Sequence, residues 1–511
     1  MPIRPLSCFI PSLLFLTAEA LAAPLPVSGL SVPELQVIDT TMQNFMQQNG
    51  IGAGVAAIMK DGVPVYRRAF GWQEAGRSVP LGRDSIFRLA SVTKPLTAAV
   101  IRNLISGAWL NLNDLVFDSD FPFFPEGLLD HVPFGTPELG LFSITVDDLL
   151  RHRGGWNRSI AGPGGTYLDL TYQERQVALD MGLSSPPGRD ATVRWIMGKP
   201  LQFAPGTEKQ YSNIGYLLLG LIAEKVAGIP LIDQFRRDLF SPMGVSADQV
   251  VAGRTFQEDQ DAREPYYDSA GYTSTNVFYP DFSAQPTVAG PYGTWDHEAR
   301  IGQGGIVADP LSILEFLDNY QVNGDDIGGP RPAPGGWRWN HTGSLNGSNT
   351  LARQRGDGIN YVVFFNKKPS GTSYSSQVRT IFDGILDSGQ ISSWPTNDIR
   401  NLEGVLDADL NYDGLVNEED FVFWELAFGN QTFGDVDSDG DTDGNDFLKW
   451  QRQYGDSATP LATAPSVPEP STWVSLAVAA LGASTLRRSQ LYWLNCPGHR
   501  EMEFSLQRVS E

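Results

Sequence analysis

The chain has 511 residues, 41% of them hydrophobic, and a formal net charge of −22. That is apolar mass enough for a packed core, in a chain longer than one core usually organises, so a wholly disordered chain is excluded and a large globular body with accessories is expected. More than half of the acidic excess is local, because residues 407–456 hold 14 Asp and Glu against only Lys449 and Arg452, and the rest of the chain is mildly acidic. Elsewhere no basic stripe of the sort that phosphate backbones require is present, which excludes nucleic acid as a partner.

Residues 1–23 read as a secretory signal peptide: Arg4 supplies the positive start, residues 9–16 a short apolar stretch, and Ala20-Leu21-Ala22 a small-residue cleavage site. Export is therefore expected. Cys8 precedes the apolar stretch where a lipidated cysteine would follow it, and with Cys496 as the only other cysteine no disulfide is expected.

Past the leader, Leu35, Ile38, Met42 and Phe45 are spaced for a helix over 31–48. Residues 54–60 and 63–70 then form a hairpin turning at Asp61-Gly62. A second hairpin, 348–355 with 359–366 around Gly356-Asp357-Gly358, is followed by a helix over 374–386. Between the hairpins the chain alternates helical runs (91–106, 147–150, 214–226, 313–316) with irregular stretches at 155–170 and 255–300, rich in Gly, Pro, Tyr and Asp. The expected fold is α/β, more strictly α+β: one antiparallel sheet built from both hairpins and covered by the terminal helices, a mainly helical second lobe, and a cleft between them. Both irregular stretches are expected to surround that cleft and set substrate preference.

Three strings carry chemistry: Ser91-Val92-Thr93-Lys94, Tyr211-Ser212-Asn213 and His341-Thr342-Gly343. Lys94 lies one helical turn from Ser91 on the same face, so an amine can take the proton of a hydroxyl nucleophile. An ordinary lysine is protonated at neutral pH, and desolvation in a cleft removes that obstacle. Tyr211 adds a phenol that relays protons, and the run after His341 is a strand whose edge can hold a carbonyl substrate.

With their surroundings these strings resemble the serine hydrolases that group class C β-lactamases, D-alanyl-D-alanine carboxypeptidases and related esterases. The resemblance covers about residues 35–390 and includes Phe87-Arg88-Leu89-Ala90 before Ser91, Leu149-Leu150-Arg151-His152, Phe203-Ala204-Pro205-Gly206-Thr207, and Gly304-Gly305-Ile306-Val307. It implies a β-lactamase-like two-lobed domain over 31–393 that needs no cofactor for catalysis. In it Ser91 attacks the acyl carbon, Lys94 and Tyr211 move its proton, and Asn213 holds the substrate and the lysine. His341, Thr342, Gly343 and Ser344 line the substrate, with the backbone N–H groups of Ser91 and Ser344 as oxyanion hole. His341 stands where β-lactamases of this group carry Lys, and Arg153-Gly154-Gly155 where relatives often carry Thr-Ser-Gly. Both favour an esterase or peptidase acting on a small ester, peptide or peptidoglycan-derived substrate over a true β-lactamase.

At the acidic end a motif repeats at a spacing of 26 residues: Asp409, Asn411, Asp413, Asn417 and Asp420 recur as Asp435, Asp437, Asp439, Asp443 and Asp446. Oxygen ligands at loop positions 1, 3, 5, 9 and 12 with Gly414 or Gly440 at position 6 suit calcium. Each loop is followed by an aromatic helix, and residues 405–456 resemble a dockerin type I module, a small all-α calcium-loop unit whose family partner is a cohesin domain. After a linker at 457–466, Val467-Pro468-Glu469-Pro470, an apolar run over 473–486 and Arg487-Arg488 resemble a PEP-CTERM sorting segment (467–488). That resemblance implies transient membrane contact and display at the cell surface or release. Residues 489–511 extend beyond such a signal and have no assigned role. The reading is an exported serine hydrolase. Its rival is a catalytically silent ligand-binding or scaffold protein displayed through the calcium-dependent module.

Overall fold

Asp61 and Gly62 both adopt positive φ (52° and 82°), the mirror-image turn that suits the twist of its flanking strands, and close a hairpin between Ala53–Lys60 and Val63–Gly71. Strands Ser348–Arg355 and Ile359–Phe365 form the second hairpin, and the two join because Ile359–Phe365 pairs antiparallel with Ala53–Lys60, Ile359 opposite Lys60 and Phe365 opposite Gly54. The six-stranded sheet runs in the order Val27–Ser28, Val63–Gly71, Ala53–Lys60, Ile359–Phe365, Ser348–Arg355, Arg338–Leu345. This computed structural model describes residues 24–119, 126–160, 169–401, 406–411, 413–429, 434–436 and 441–457. The signal peptide, most of the 457–466 linker, the PEP-CTERM-like segment 467–488, the tail 489–511, and Asp437 and Asp439 of the second acidic loop lie outside the described residues.

Side chains alternate across the sheet, as the pleat requires. Val55, Ala57 and Met59 enter the larger core, which also holds helices Thr93–Ser106, Asn213–Ala227 and Pro310–Asn319. Ala56 and Ile58 face the other way, under helices Gln36–Asn49 and Tyr374–Asp387. The expected sheet and its terminal helices are present. Two small antiparallel sheets were not anticipated: Phe87–Arg88, Ile306–Ala308 and Val250–Ala252 in one, Thr273–Thr275 with Thr287–Ala289 in the other. Strands of two or three residues carry too little periodicity to be read from sequence.

The domain limits also shift. Val27–Ser28 is an edge strand of the sheet and Ile399 is buried in the larger core, so the body reaches past 31–393 at both ends. Ser457, placed in the linker, still bridges to Leu415. In the acidic module, helices Glu418–Ala427 and Gly444–Gln453 each begin with a capping box, Asn417 with Asp420 and Asp443 with Asp446. Trp424 donates to the Asp443 carbonyl at 3.0 Å and Trp450 to the Asn417 carbonyl at 3.2 Å, so each helix is tied to the loop of the other repeat. The module also touches the body, because the N–H groups of Gly29 and Ser31 donate to the carbonyls of Asn411 and Asp413 at 2.7 and 3.2 Å. Among the described residues no single helix is long and apolar enough to cross a membrane.

Candidate active site

Ser91 sits in the tight turn Ala90–Val92 that opens into helix Thr93–Ser106. The turn is held from both sides: Leu89 N–H donates to the Ile306 carbonyl at 2.8 Å, Thr350 Oγ1 donates to the Leu89 carbonyl at 2.8 Å, and Ser348 Oγ to the Arg88 carbonyl at 2.7 Å. Ala90 takes φ +50°, a left-handed conformation that costs a residue with a Cβ about 1 to 2 kcal/mol. The strand Arg338–Leu345 comes close enough to hold it there only because position 343 is glycine, where a Cβ would lie 2.2 Å from the Leu89 carbonyl oxygen. The third motif thus fixes the backbone of the first.

Lys94 is fully buried, and its Nζ lies 3.1 Å from Ser91 Oγ and 2.6 Å from the Gln303 carbonyl. Burial is the main cause that lowers its pKa. The Tyr211 phenol, through its charge and a hydrogen bond, and the Asp169 carboxylate oppose that shift, while the Arg158 charge adds to it. Nζ is 5.1 Å from the centre of the Tyr211 ring. Ser91, Lys94 and Tyr211 therefore form one cluster, although Tyr211 lies far along the chain, directly before helix Asn213–Ala227.

A cavity of about 570 Å3 opens over this cluster, lined among others by Ser91, Tyr211, His341, Thr342 and Ser344. His341 is held neutral there, its pKa lowered to about 3 first by burial and then by the Lys94 charge, and its buried Nδ1 has no hydrogen-bond partner among the described residues. Gly343 lies behind the wall. Asn213 departs from expectation: its amide donates to Asp169 Oδ2 at 2.6 Å, while Lys94 Nζ is held by Ser91, the Gln303 carbonyl and the Tyr211 phenol. Asn213 begins a helix and points its side chain at a carboxylate 44 residues upstream, a pairing no local pattern announces. The stretch 255–300 also departs, since none of its residues lines the cavity. It shores up the wall instead: Tyr267 Oη accepts the Arg88 N–H at 2.8 Å, and Trp295 packs with Ala90 and Leu345.

His152, present in one of the quoted strings but given no role, is part of this site. It takes φ +58°, its Nδ1 accepts the Ser212 N–H at 3.2 Å and its carbonyl the Gln210 N–H at 2.9 Å, so it grips the chain on both sides of Tyr211. Its ring lies 4.7 Å from that of Tyr211, and burial lowers its pKa to about 3, keeping Nδ1 an acceptor. Arg153 turns away to Asp147, at 2.6 Å, and leaves the cavity wall to others.

The beta-lactamase family model matches residues 38–384 of this chain. The chain belongs to the beta-lactamase family. Among curated relatives it is 30% identical over 236 residues to "Esterase EstB" of Burkholderia gladioli, covering 45% of this chain and 54% of that protein. It is 27% identical over 252 residues to a "Putative D-alanyl-D-alanine carboxypeptidase" of Escherichia coli O157:H7, covering 46% and 53%. The chain thus spans about half the length of these beta-lactamase relatives. A solved structure of an octameric penicillin-binding protein homologue from Pyrococcus abyssi matches 69% of this chain and 77% of its own at 21% identity, with a TM-score of 0.48. The family is one of serine hydrolases, and catalysis in this fold needs no cofactor.

Proposed function

We propose that the chain is an exported serine hydrolase that cleaves ester or amide bonds through an acyl-enzyme on Ser91, an esterase or a carboxypeptidase rather than a true β-lactamase. The observation that carries this reading is Lys94: a buried amine with no carboxylate bonded to it among the described residues, 3.1 Å from the Ser91 hydroxyl. Neutral Lys94 takes the Ser91 proton as Oγ bonds the acyl carbon; as the leaving group's bond breaks, Tyr211 gives it a proton and is reprotonated by Lys94, so that both are neutral again in the acyl-enzyme. The developing oxyanion sits between the backbone N–H groups of Ser91 and Ser344. Water then attacks the acyl-enzyme by the same route in reverse. The EstB and carboxypeptidase names of the relatives support small ester and peptide substrates, and neutral His341 in place of a lysine supports the preference against β-lactams.

The acidic repeat supports a second element of the proposal, calcium held in two loops. Asp409 and Asp420 are buried in the first loop, where burial and neighbouring carboxylates push their pKa values to about 7 and about 6. In the second, the carboxylates of Asp443 and Asp446 converge with that of Asp441, a residue outside the expected set. All these donors are oxygens, which fits a hard cation, and calcium would offset their repulsion. Cohesin-like capture and surface display rest on the module and sorting-segment resemblances.

The test is a panel of p-nitrophenyl acetate, a D-Ala-D-Ala peptide and a cephalosporin, read by rate and by acyl-enzyme mass. A single adduct on Ser91, absent in Ser91→Ala, is the expected result. Equal hydrolysis by wild type and Ser91→Ala would remove the enzyme reading of this site and leave the silent binding protein.

A further inference from the structure

In a chain of net charge −22, the residues lining the Ser91 cavity include two cations, Arg158 and Lys209, and no aspartate or glutamate. The two differ. Lys209 Nζ is bonded to Asp325 at 2.9 Å. Arg158 has no carboxylate in ion-pair range among the described residues, while its neighbours Arg151 and Arg153 both bond Asp147, at 2.7 and 2.6 Å. Asp169, whose charge reaches Lys94, is committed: Oδ2 accepts from Asn213, and Oδ1 from the Thr171 N–H and hydroxyl.

Arg158 is also placed, not merely free. Its backbone N–H donates to the Tyr211 carbonyl at 3.2 Å, and its guanidinium lies 5.5 Å from the centre of the Tyr211 ring. Its charge reaches Lys94, where it opposes protonation. A guanidinium presents a rigid fork of donors matched to a carboxylate, and an ionised partner would find it beside the catalytic phenol with no competing carboxylate among the described residues. Neutral His341 offers no such charge.

We infer that Arg158 is a specificity-determining residue that binds a carboxylate on the substrate, making this a site for acidic esters or amides. The inference rests on the hydrolase reading of the Ser91 site. It gives the cavity the anion-binding charge that position 341 lacks, and moves that charge from the strand to the loop that meets Tyr211.

The experiment compares matched substrate pairs differing only in a carboxylate. One pair carries it on the acyl side, nitrophenyl hemisuccinate against its methyl ester; the other carries it on the leaving group, acetoxybenzoate against methyl acetoxybenzoate. Wild type is expected to favour the acid of at least one pair, and Arg158→Gln to reduce that kcat/KM ratio by roughly tenfold through KM, as loss of a charged hydrogen bond does. Arg158→Lys should recover part of it. An unchanged ratio in both pairs, or equal losses on acid and ester with a shifted pH profile, would show that Arg158 acts only on Lys94 and would overturn the inference. Hydrolysis that survives Ser91→Ala would instead overturn the reading beneath it, and the inference with it.

Discussion

Lys94 and Asp409 face one physical problem with opposite signs. Each is an ionisable group taken out of water, the lysine fully buried and the aspartate 5% exposed. Burial disfavours the charged form of both, lowering the amine's pKa and raising that of the carboxyl. The surroundings then part ways. Around Lys94 stand a hydroxyl, a phenol and a carbonyl, with no carboxylate bonded among the described residues, so the charge is best relieved by giving up a proton, as the proposed role of a base requires. Around Asp409 stand Asp413 and Asp420, further carboxylates that raise its pKa, so the charge is best relieved by a shared cation. On the proposed reading, one desolvation penalty serves catalysis where the neighbours can exchange a proton and metal binding where they cannot.

The sharpest way to break this comparison is to keep the lysine's charge while denying its deprotonation. Lys94→Arg and Lys94→Met are both expected to lose about 10³- to 10⁴-fold in kcat on p-nitrophenyl acetate, since a guanidinium stays protonated and a thioether cannot accept the proton. An arginine variant close to wild type would show that Lys94 acts by charge alone.

The acidic side is tested by removing the cation. Chelation is expected to lower the melting temperature of the acidic module, with calcium at about 1,000 times its Kd contributing roughly 4 kcal/mol, and Asp420→Ala with Asp446→Ala to abolish the calcium response. Hydrolysis should not change. A calcium-insensitive module would leave its carboxylates without the proposed remedy.

His152→Phe removes the acceptor of the Ser212 N–H and should lower kcat by roughly tenfold, the scale of one unpaired buried group. His152→Asn should restore part of it, and a loss confined to thermal stability would reduce His152 to packing. The smallest effect concerns pH. Because the half-buried histidines at 152 and 341 have pKa values of about 3, they are neutral above pH 5, and kcat/KM is expected to rise with pH as Lys94 loses its proton. Adding a cation beside it disfavours the protonated amine, so His341→Lys should move that rise to lower pH, by about one unit.

What the sequence made legible was local. The spacing of Ser91 and Lys94 within one helical turn placed the hydroxyl beside the amine, and the Asp61-Gly62 and Gly356-Asp357-Gly358 turns placed both hairpins. What it hid was long-range or backbone-borne. Asn213 was assigned to the lysine because the two share a motif set, yet the fold supplies Asp169 as its partner. The carbonyl that receives Lys94 comes from Gln303, 209 residues away, and a carbonyl has no sequence signature. His152 acts from a left-handed conformation that its residue type does not advertise. The stretch 255–300 has the composition of a substrate loop, while its aromatics are used to brace the nucleophile turn from behind.

The backbone hydrogen bonds from Gly29 and Ser31 to the first acidic loop have a mechanical consequence. Both donors follow directly on Val27–Ser28, the outermost strand beside Val63–Gly71, so the module is fastened to the rim of the sheet as well as to its covalent neighbour. That rim is the two-residue strand at the opposite edge of the sheet from Arg338–Leu345, whose residues line the Ser91 cavity, so the module's attachment and the cavity lie at the two ends of one hydrogen-bonded array.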